Sequence, residues 1–423
     1  MTDLVPFRAL RYQHARVELD RVLAPVYDVV APQDRPLYYD RDPHNALRLE
    51  LTRSVEEEAT TDYADVARSL AQWREEGVLA LDGEPALYVL RQRFEAPGGG
   101  KVERLGFFGA LRLEDYESRI VRPHETTLSG PRADRLKILR ASKANLSSVF
   151  MLYEDRERML DSMLGESLGS PEAVCAVDGD GIEQRLAPLR ERGAIERVRA
   201  FFAARPVVIA DGHHRYETAL AYRDERRAAC AIRDPHAPHE RILAYFANAF
   251  APGTLLLPIH RVVRKAPRGA GAGFWSRLRG WEQRTVSVGG VEAIPAALEE
   301  HLAPLDGSYA FAADDGSGAL RIFSRAAGEE LSVRIIHREV LGGVFGLDEE
   351  AVRDGAVGFP KSTLQAARDV REGKGAVALY LNALRPDDVF RVTAAGERLP
   401  QKSTFFFPKL PTGLLFRVLE AGT

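Results

Sequence analysis

The chain has 423 residues, of which 45% are hydrophobic and 28% are charged, and its formal net charge is -3. This balance is typical of a globular protein long enough for two or three domains. It lacks the basic excess of a typical nucleic-acid-binding protein, and no apolar run approaches the roughly 20 residues that cross a bilayer. We therefore expect neither a nucleic acid nor a membrane among its partners.

Cysteine usage and the first residues bear on the cellular compartment. The chain has only two cysteines, Cys175 and Cys230. Two cysteines are too few for a disulfide framework and suit a reducing cytosol. The first residues contain no basic region followed by an apolar stretch, so a secretory signal peptide is not indicated. We expect a cytoplasmic protein.

The first half of the chain is predicted to mix strands and helices. Two prolines seven residues apart, Pro25 and Pro32, forbid a helix between them and favour an extended strand. Periodicity and turn residues then predict a helix at 61–76 ending at Gly77, strands at 86–94 and 105–113 joined by a glycine-rich turn, and helices around a short strand at 155–200.

The amino-acid composition changes near residue 262, since residues 264–273 are rich in glycine, alanine and basic residues. We predict one domain over residues 1–262 and a second over 263–423. The second half is predicted to contain helices at 291–302 and 337–345 and strands at 375–383 and 389–393. The predicted fold class is α+β (mixed α/β) in about two domains.

A strand, a turn and a helix are predicted around the sequence Asp-Gly-His-His-Arg at 211–215. The β-branched run before it indicates a strand, and a helical pattern follows as far as Ala229. Gly212 permits a sharp reversal, after which the free N–H groups of the helix form an anion site. Arg215, expected to be partly exposed, adds a guanidinium suited to phosphate. Asp211, His213 and His214 are the candidate catalytic residues of the turn, and the two imidazoles can donate hydrogen bonds or move protons near neutral pH.

Two other interpretations of this turn remain open. In the first, Asp211 caps the helix and the histidines are surface residues. In the second, His213 or His214 shares a helix face with Glu217 and binds a metal, although neither His-Glu-x-x-His nor a cysteine cluster is present. A magnesium ion carried by phosphates also stays open, because it needs only one or two protein carboxylates.

Polar residues elsewhere add candidates for the same site. His124 and Glu125 are candidate acid–base groups, and Arg135 and Lys137 are candidate cations for phosphate. The alternative is a solvated loop with ordinary surface ion pairs, each contributing about 0–1 kcal/mol. Asp28 lies on the predicted strand, where a buried carboxylate needs a partner. It is either a turn cap or the base that takes a hydroxyl proton.

The segment around Lys402 has the spacing of a P-loop but not its sequence. Gly396 and Lys402 have the required separation, whereas Gln401 replaces the second glycine. The aromatic run at 405–407 cannot start the required helix. We reject a P-loop and keep Lys402 as a candidate for contact with a substrate anion, or as part of a polar turn.

Four stretches together carry a resemblance to a known family, namely residues 24–29, 123–126, 211–219 and 400–404. The chain resembles an uncharacterised bacterial and archaeal family, domain-of-unknown-function family ten-fifteen. More weakly, the turn at 211–215 is similar to the phosphate-binding turn of the ParB/sulfiredoxin superfamily, which includes nucleotide-binding partition proteins and free-serine kinases. This resemblance implies that Gly212 and Arg215 hold nucleotide phosphates.

These observations predict a nucleotide-dependent phosphotransferase, a kinase acting on a small molecule such as a hydroxyl amino acid. Its cofactor would be ATP or ADP with Mg²⁺. The alternatives are a non-catalytic nucleotide-binding regulator that uses the same turn and a metal-assisted hydrolase that uses the histidines.

Overall fold

The computed structural model describes residues 1–125, 132–230, 232–265, 275–400 and 402–420. They form two compact units, the first from 1–255, 393–397 and 408–423 and the second from 256–392 and 398–407. The predicted assignment of all of 263–423 to one domain differs from this division, because the C-terminal residues pair with strands of the first unit. Thr126 and Gln401, which belong to the stretches quoted for the family resemblance, and most of the predicted loop at 264–273 lie outside the described residues.

The predicted mixed α/β class is confirmed. The described strands are β1 Leu4–Val5, β2 Leu10–Tyr12, β3 Leu79–Leu81, β4 Leu87–Glu95, β5 Lys101–Arg112, β6 Val121–Pro123, β7 Ala144–Asn145, β8 Val149–Tyr153, β9 Val174–Val177, β10 Glu183–Leu189, β11 Val207–Asp211, β12 Arg241–Asn248, β13 Leu255–Leu257, β14 Arg261–Val263, β15 Glu282–Ser287, β16 Ser308–Asp314, β17 Ala319–Ala326, β18 Val357–Gly358, β19 Val377–Leu381, β20 Phe405–Phe407 and β21 Arg417–Val418.

Helices connect these strands. The described α-helices are α1 Leu19–Val22, α2 Arg35–Arg41, α3 Leu47–Glu50, α4 Val55–Thr60, α5 Ala64–Glu75, α6 Arg132–Ser142, α7 Asp161–Ser167, α8 Arg192–Ala203, α9 His213–Ala229, α10 Ile294–His301, α11 Ser332–Ile335, α12 Glu349–Ala351, α13 Thr363–Arg371 and α14 Pro386–Ala394. Among the described residues, no helix has both the length and the apolar character that crossing a bilayer requires.

The first unit is built on a mixed sheet with the strand order β6-β11-β8-β12-β5-β4-β10-β9, and β1 pairs with the end of β5. Its core contains apolar side chains from the strands and from α8, including Phe107, Met151, Phe202, Ile209 and Phe246. The central strands carry β-branched and aromatic residues that fill a pleated, buried surface. This packing fixes β11, the strand that leads into the 211–215 turn.

Two strands of this sheet end at the same edge. β6 and β11 are parallel, with Val207 opposite Val121 and Ile209 opposite Pro123. Residues that follow them therefore meet beyond the carboxyl ends of the strands, the usual position of ligands in open sheets with parallel strands. His124 follows β6, and the 211–215 turn begins at Asp211, the last residue of β11.

A second core of the first unit is formed by short helices near the amino terminus. It contains Val22, Leu47, Trp73 and Ile138, and also Phe416 from the end of the chain. Leu10 and Phe416 exchange backbone hydrogen bonds of 2.9 Å in both directions. The C-terminal residues are therefore part of the first unit.

The second unit contains a separate sheet with the order β15-β17-β16-β19-β14-β18. The strand pairs described in it are antiparallel, which is the arrangement that short hairpin connections allow. α10 and α13 pack on it through Ile294, Leu298, Ala366 and Ala367.

Several predicted elements are confirmed, and two are wrong. The helix before Gly77, the hairpin of β4 and β5, and the strand and helix around residue 212 all form as predicted. Residues 24–32 do not form a strand, because Tyr27–Val29 is a single 3-10 turn. Residues 389–393 form part of α14, because Val389 and Val392 share one buried helix face.

Candidate functional site

The turn at 211–215 joins β11 to α9 through a left-handed glycine. Gly212 has φ +89°, and a Cβ atom built on it would lie 2.9 Å from Arg215 Nε. Glycine therefore serves both the backbone reversal and the close approach of the guanidinium. No side chain caps the N–H groups at the start of α9, so the interpretation of Asp211 as a helix cap is wrong. These N–H groups remain available to an anion.

Asp211 holds two cations instead. Arg215 Nη2 donates to its Oδ2 at 2.5 Å, and the ammonium of Lys409 contacts its Oδ1. Burial alone would raise the pKa of Asp211, but Lys409 and Arg215 outweigh burial and hold that pKa well below its usual range. A carboxylate held ionised in this way is a weak base, so the geometry favours a positioning role for Asp211 over proton transfer.

Arg215 is more buried than the sequence predicted. Its side chain is 10% exposed, and Nη1 donates to the carbonyl of Ser148, just before β8. The guanidinium carbon lies 5.9 Å from the centre of the Tyr27 ring. The expectation of a partly exposed arginine is corrected, because Asp211 and Ser148 hold the guanidinium over the turn.

His213 forms a pair with His124, the residue that follows β6. The ring centres are 4.8 Å apart, and the backbone N–H of His124 donates to His213 Nε2 at 3.3 Å. Burial, aided by His124, lowers the pKa of His213 to about 3. His213 is therefore neutral at physiological pH, with Nε2 as an acceptor and its proton on Nδ1.

The lowered pKa of His213 predicts an acid-sensitive fold. A histidine with a depressed folded-state pKa contributes stability above its unfolded pKa of about 6.5, and this stability is lost as pH falls towards about 3. Linkage gives up to about 2 kcal/mol of unfolding free energy between about pH 7.5 and about pH 5. His213→Asn should give a shallower fall of unfolding free energy than the unchanged protein, measured by urea unfolding across this range.

Two features make that measurement specific. His260 and His337 of the second unit also have lowered pKa values, of about 4 and about 3, so only the difference between variant and unchanged protein reports on His213. His236→Asn, at an exposed position, is the matched control and should keep the full slope. Equal slopes for His213→Asn and the unchanged protein would show that His213 is not held neutral.

His124 and Glu125 extend the site towards solvent. His124 is 2% exposed, and its Nδ1 donates to the carbonyl of Ile209. This bond directs Nε2 towards Glu125 Oε1 at 3.4 Å. The Glu125 side chain is 20% exposed, so its carboxylate can meet both His124 and a solvent-borne molecule. His214 follows His213 in α9, and its Nδ1 is buried.

Asp28 lies near the same place but not on a buried strand. It is an exposed residue of the 3-10 turn Tyr27–Val29, so the predicted buried strand position is wrong. The pKa of Arg215 is raised: burial lowers it, but nearby groups outweigh burial, with Asp211 contributing most and Asp28 acting in the same direction. Asp28 is therefore close enough to Arg215 for their charges to interact, as a shared site requires.

The other predicted cations occupy different environments. Arg135 is buried, donates to Glu50 Oε2 at 3.2 Å and to Asp134 at 2.7 Å, and lies 4.2 Å from the Tyr27 ring centre. Lys137 is an exposed residue of α6, two positions further along the helix. Lys402 belongs to the second unit, where it has a left-handed φ of 58°.

The metal-binding interpretation finds no cluster in the part of the chain that the structure describes. Within those ranges, no three His, Cys, Asp or Glu side chains are grouped to hold a metal ion. A hydrolase that binds a transition metal uses three or more such ligands. A magnesium ion carried by phosphates needs fewer, so Asp28 and Glu125 are compatible with it.

Lys409 and Glu50 are site residues that the sequence did not indicate. Lys409 is 198 positions from Asp211, and Glu50 is 85 positions from Arg135. Neither lies in a motif or a periodic pattern. The only local signal was that Lys409 follows a proline after an aromatic run, which does not specify its partner.

Comparison with protein families identifies the chain's relatives. A family model described as protein of unknown function (DUF1015) matches residues 4–290, more than half of the chain. The chain belongs to this family. The family resemblance seen in the sequence is thereby confirmed, and the site described above lies within the matched residues except for Lys409. A comparison with curated proteins finds no match to this DUF1015 member.

Solved structures show a distant likeness. A free serine kinase in complex with AMP has a TM-score of 0.36 at 14% identity, covering 73% of this chain and 92% of that chain. A conserved hypothetical protein from Pyrococcus furiosus has a TM-score of 0.36 at 14% identity, and the match covers 74% of this chain and 95% of that chain. SbnI from Staphylococcus aureus, truncated at its C-terminus, has a TM-score of 0.32 at 10% identity, and the match covers 75% of this chain and 90% of that chain. Likeness at this level says nothing about the activity of the DUF1015 chain.

Proposed function

We propose that this protein is a nucleotide-dependent phosphotransferase that phosphorylates a hydroxyl group of a small molecule, such as a hydroxyl amino acid like free serine. One observation carries the proposal: α9 begins with uncapped N–H groups after Gly212, and the buried Arg215 guanidinium is fixed directly over that turn. Backbone N–H groups and a guanidinium aimed at one place suit a phosphate group.

The nucleotide phosphates would bind at the first turn of α9. Arg215 cannot swing away freely, because Asp211 and the Ser148 carbonyl hold it. Preorganised cations of this kind stabilise the charge of a transferring phosphoryl group without reorganising during the reaction. ATP and ADP both carry phosphates that would fit this description.

Asp28 and Glu125 are the residues available to a magnesium ion carried by the nucleotide, and the ion would be held by whichever of the two carboxylates does not take the acceptor proton. Both are accessible carboxylates beside the turn, and such an ion takes one or two protein carboxylates. When bound, magnesium neutralises phosphate charge. Asp211 does not suit this role, because both its oxygens already contact Arg215 and Lys409.

The acceptor hydroxyl would lose its proton to Glu125 or Asp28. As the acceptor oxygen bonds to the transferred phosphorus, the bond from that phosphorus to the bridging oxygen breaks, and the nucleotide leaves with one phosphoryl group fewer. His124 lies beside Glu125, with its Nδ1 fixed to the Ile209 carbonyl and its Nε2 3.4 Å from Glu125 Oε1. The ParB/sulfiredoxin resemblance of the turn suggests the acceptor class.

A nucleotide-binding regulator is the second candidate. The pKa of Asp211 and the pKa of His213 are both far below neutrality, so two residues that the sequence nominated for catalysis do not exchange protons at physiological pH. A regulator would bind nucleotide at the same turn without an acceptor. Stimulation of nucleotide turnover by a hydroxyl compound separates the two candidates.

Thermal denaturation with nucleotides tests the proposed phosphate site. ATP or ADP at a hundredfold excess over its dissociation constant should raise stability by about 2.7 kcal/mol through mass action. Adenosine, which lacks phosphates, should give a much smaller shift. Equal shifts with adenosine and ATP, or no shift with any nucleotide, would contradict a phosphate site at the turn.

A further inference from the structure

The C-terminal segment of the first unit, residues 408–418, is tied into the fold by backbone pairing. Ala24 and Thr412 exchange hydrogen bonds of 3.1 and 2.7 Å, and Phe416 pairs with Leu10. β21 pairs with β7, so the far end of the segment is also fixed. Because Ala24 stands three residues before Tyr27, the segment is attached to the chain that leads into Asp28.

A buried arginine fixes the start of this segment. Arg104 is fully buried in β5, and its Nη2 donates to the carbonyl of Pro408 at 2.7 Å. Its Nε donates to Gln92 Oε1 at 2.9 Å, and its guanidinium lies 4.8 Å from the Phe150 ring centre. Burying a guanidinium costs free energy. In spite of that cost, the buried guanidinium of Arg104 holds the backbone at Pro408, the residue directly before Lys409.

The anchor brings Lys409 to the phosphate site. Asp211 offers one oxygen to Lys409 and the other to Arg215, so the two cations are held side by side on a single carboxylate. Two oxygens of a phosphate group present a similar spacing. The Lys409 side chain is 21% exposed, so it is not closed off from solvent.

A second observation points to an anion at this place. Arg215 is nine-tenths buried, yet within the described ranges its Nε has no hydrogen-bond partner. That nitrogen lies over Gly212, beside the uncapped N–H groups of α9. A buried donor without an acceptor is unfavourable, and an anion at the turn would supply one.

We propose that Lys409 is a catalytic residue that contacts the transferred phosphoryl group, so that the C-terminal segment completes the active site. This inference rests on the proposed phosphotransferase function. Asp211 would then act as the template that spaces Lys409 and Arg215 for the phosphate oxygens. Arg104 would be a positioning residue that acts through Pro408.

The test compares Lys409→Met and Lys409→Arg in the full chain, with Lys374→Met as the control. Lys374 forms an exposed ion pair with Glu372 in the second unit. Binding of inorganic pyrophosphate and of ATP is measured by calorimetry. Lys409→Met should weaken both by about tenfold to a hundredfold, the usual loss for a hydrogen bond to a charged group. Lys409→Arg should recover most of the affinity, and the control should bind as the unchanged protein does.

Folding and binding can be separated. Lys409→Met leaves Asp211 paired with Arg215, so the variant should remain folded. A measurement on the unchanged protein gives independent evidence: acetylation of Lys409, followed by mass spectrometry, should slow when pyrophosphate is added, whereas acetylation of Lys374 should not change.

The outcomes distinguish this inference from the proposed function. If ATP binds and turns over equally well in Lys409→Met, the inference is overturned and the phosphotransferase stands. If pyrophosphate binds in a Lys409-dependent way without any phosphoryl transfer, the anion contact stands and the phosphotransferase fails. If the unchanged protein binds neither compound, both are overturned.

Discussion

Arg215→Ala is expected to abolish measurable nucleotide binding and to destabilise the first unit by about 3 kcal/mol. The affinity falls because the guanidinium over the α9 turn is lost. The stability falls because removing one partner of a buried ion pair leaves a buried charge less well compensated, which typically costs about 3–5 kcal/mol. Lys409 still contacts Asp211, so we expect the lower end of that range. Urea unfolding and calorimetry with ATP measure the two effects.

Arg199→Ala is the matched control for this variant. Arg199 lies on α8, 41% exposed, and pairs with Glu196 at 3.0 Å. Exposed pairs of this kind contribute about 0–1 kcal/mol, so the control should change neither measurement appreciably. Unchanged stability in Arg215→Ala would mean that Asp211 and Ser148 do not hold the guanidinium. Lost stability with unchanged ATP affinity would make Arg215 a purely structural residue.

Glu125→Gln is expected to lower the rate of phosphoryl transfer by about a hundredfold to ten-thousandfold, the usual contribution of a general base. The amide keeps the size of the side chain and its contact with His124 but cannot take the hydroxyl proton. KM for the nucleotide should change little, since the phosphates are held by the α9 turn. Steady-state kinetics with saturating nucleotide and acceptor measure the change in kcat.

Two further variants are needed to interpret the change in kcat of Glu125→Gln. Glu117→Gln, at an exposed position, is the control and should retain full activity. Asp28→Asn tests the other accessible carboxylate near Arg215. A large fall in kcat for Asp28→Asn with full activity in Glu125→Gln would move the role of base to Asp28. Full activity in both variants would remove proton transfer to a carboxylate from the mechanism.

Local patterns predicted the turn correctly. The β-branched residues before Asp211 indicated the strand, Gly212 marked the reversal, and the helical pattern was followed as far as Ala229. Each of these signals arises from neighbours within a few residues. The sequence therefore contained the element that presents the candidate phosphate site.

Other parts of the site depend on contacts that the sequence does not encode locally. Asp28 was placed on a strand because prolines exclude helices, but they are equally compatible with the 3-10 turn that forms. Lys409 reaches Asp211 only because Arg104 anchors Pro408, an arrangement that involves three distant parts of the chain. The burial of Arg215 likewise depends on Ser148, which directly precedes β8.

The most direct measurement of the central claim is phosphorus NMR of the protein with ATP or ADP, magnesium and a set of hydroxyl amino acids. Phosphoryl transfer to a small molecule predicts a new phosphomonoester resonance that appears only with a suitable acceptor, together with the nucleotide shortened by one phosphoryl group. The resonance should be absent with Arg215→Ala. Nucleotide that stays intact with every acceptor, or that yields only inorganic phosphate, would contradict the account.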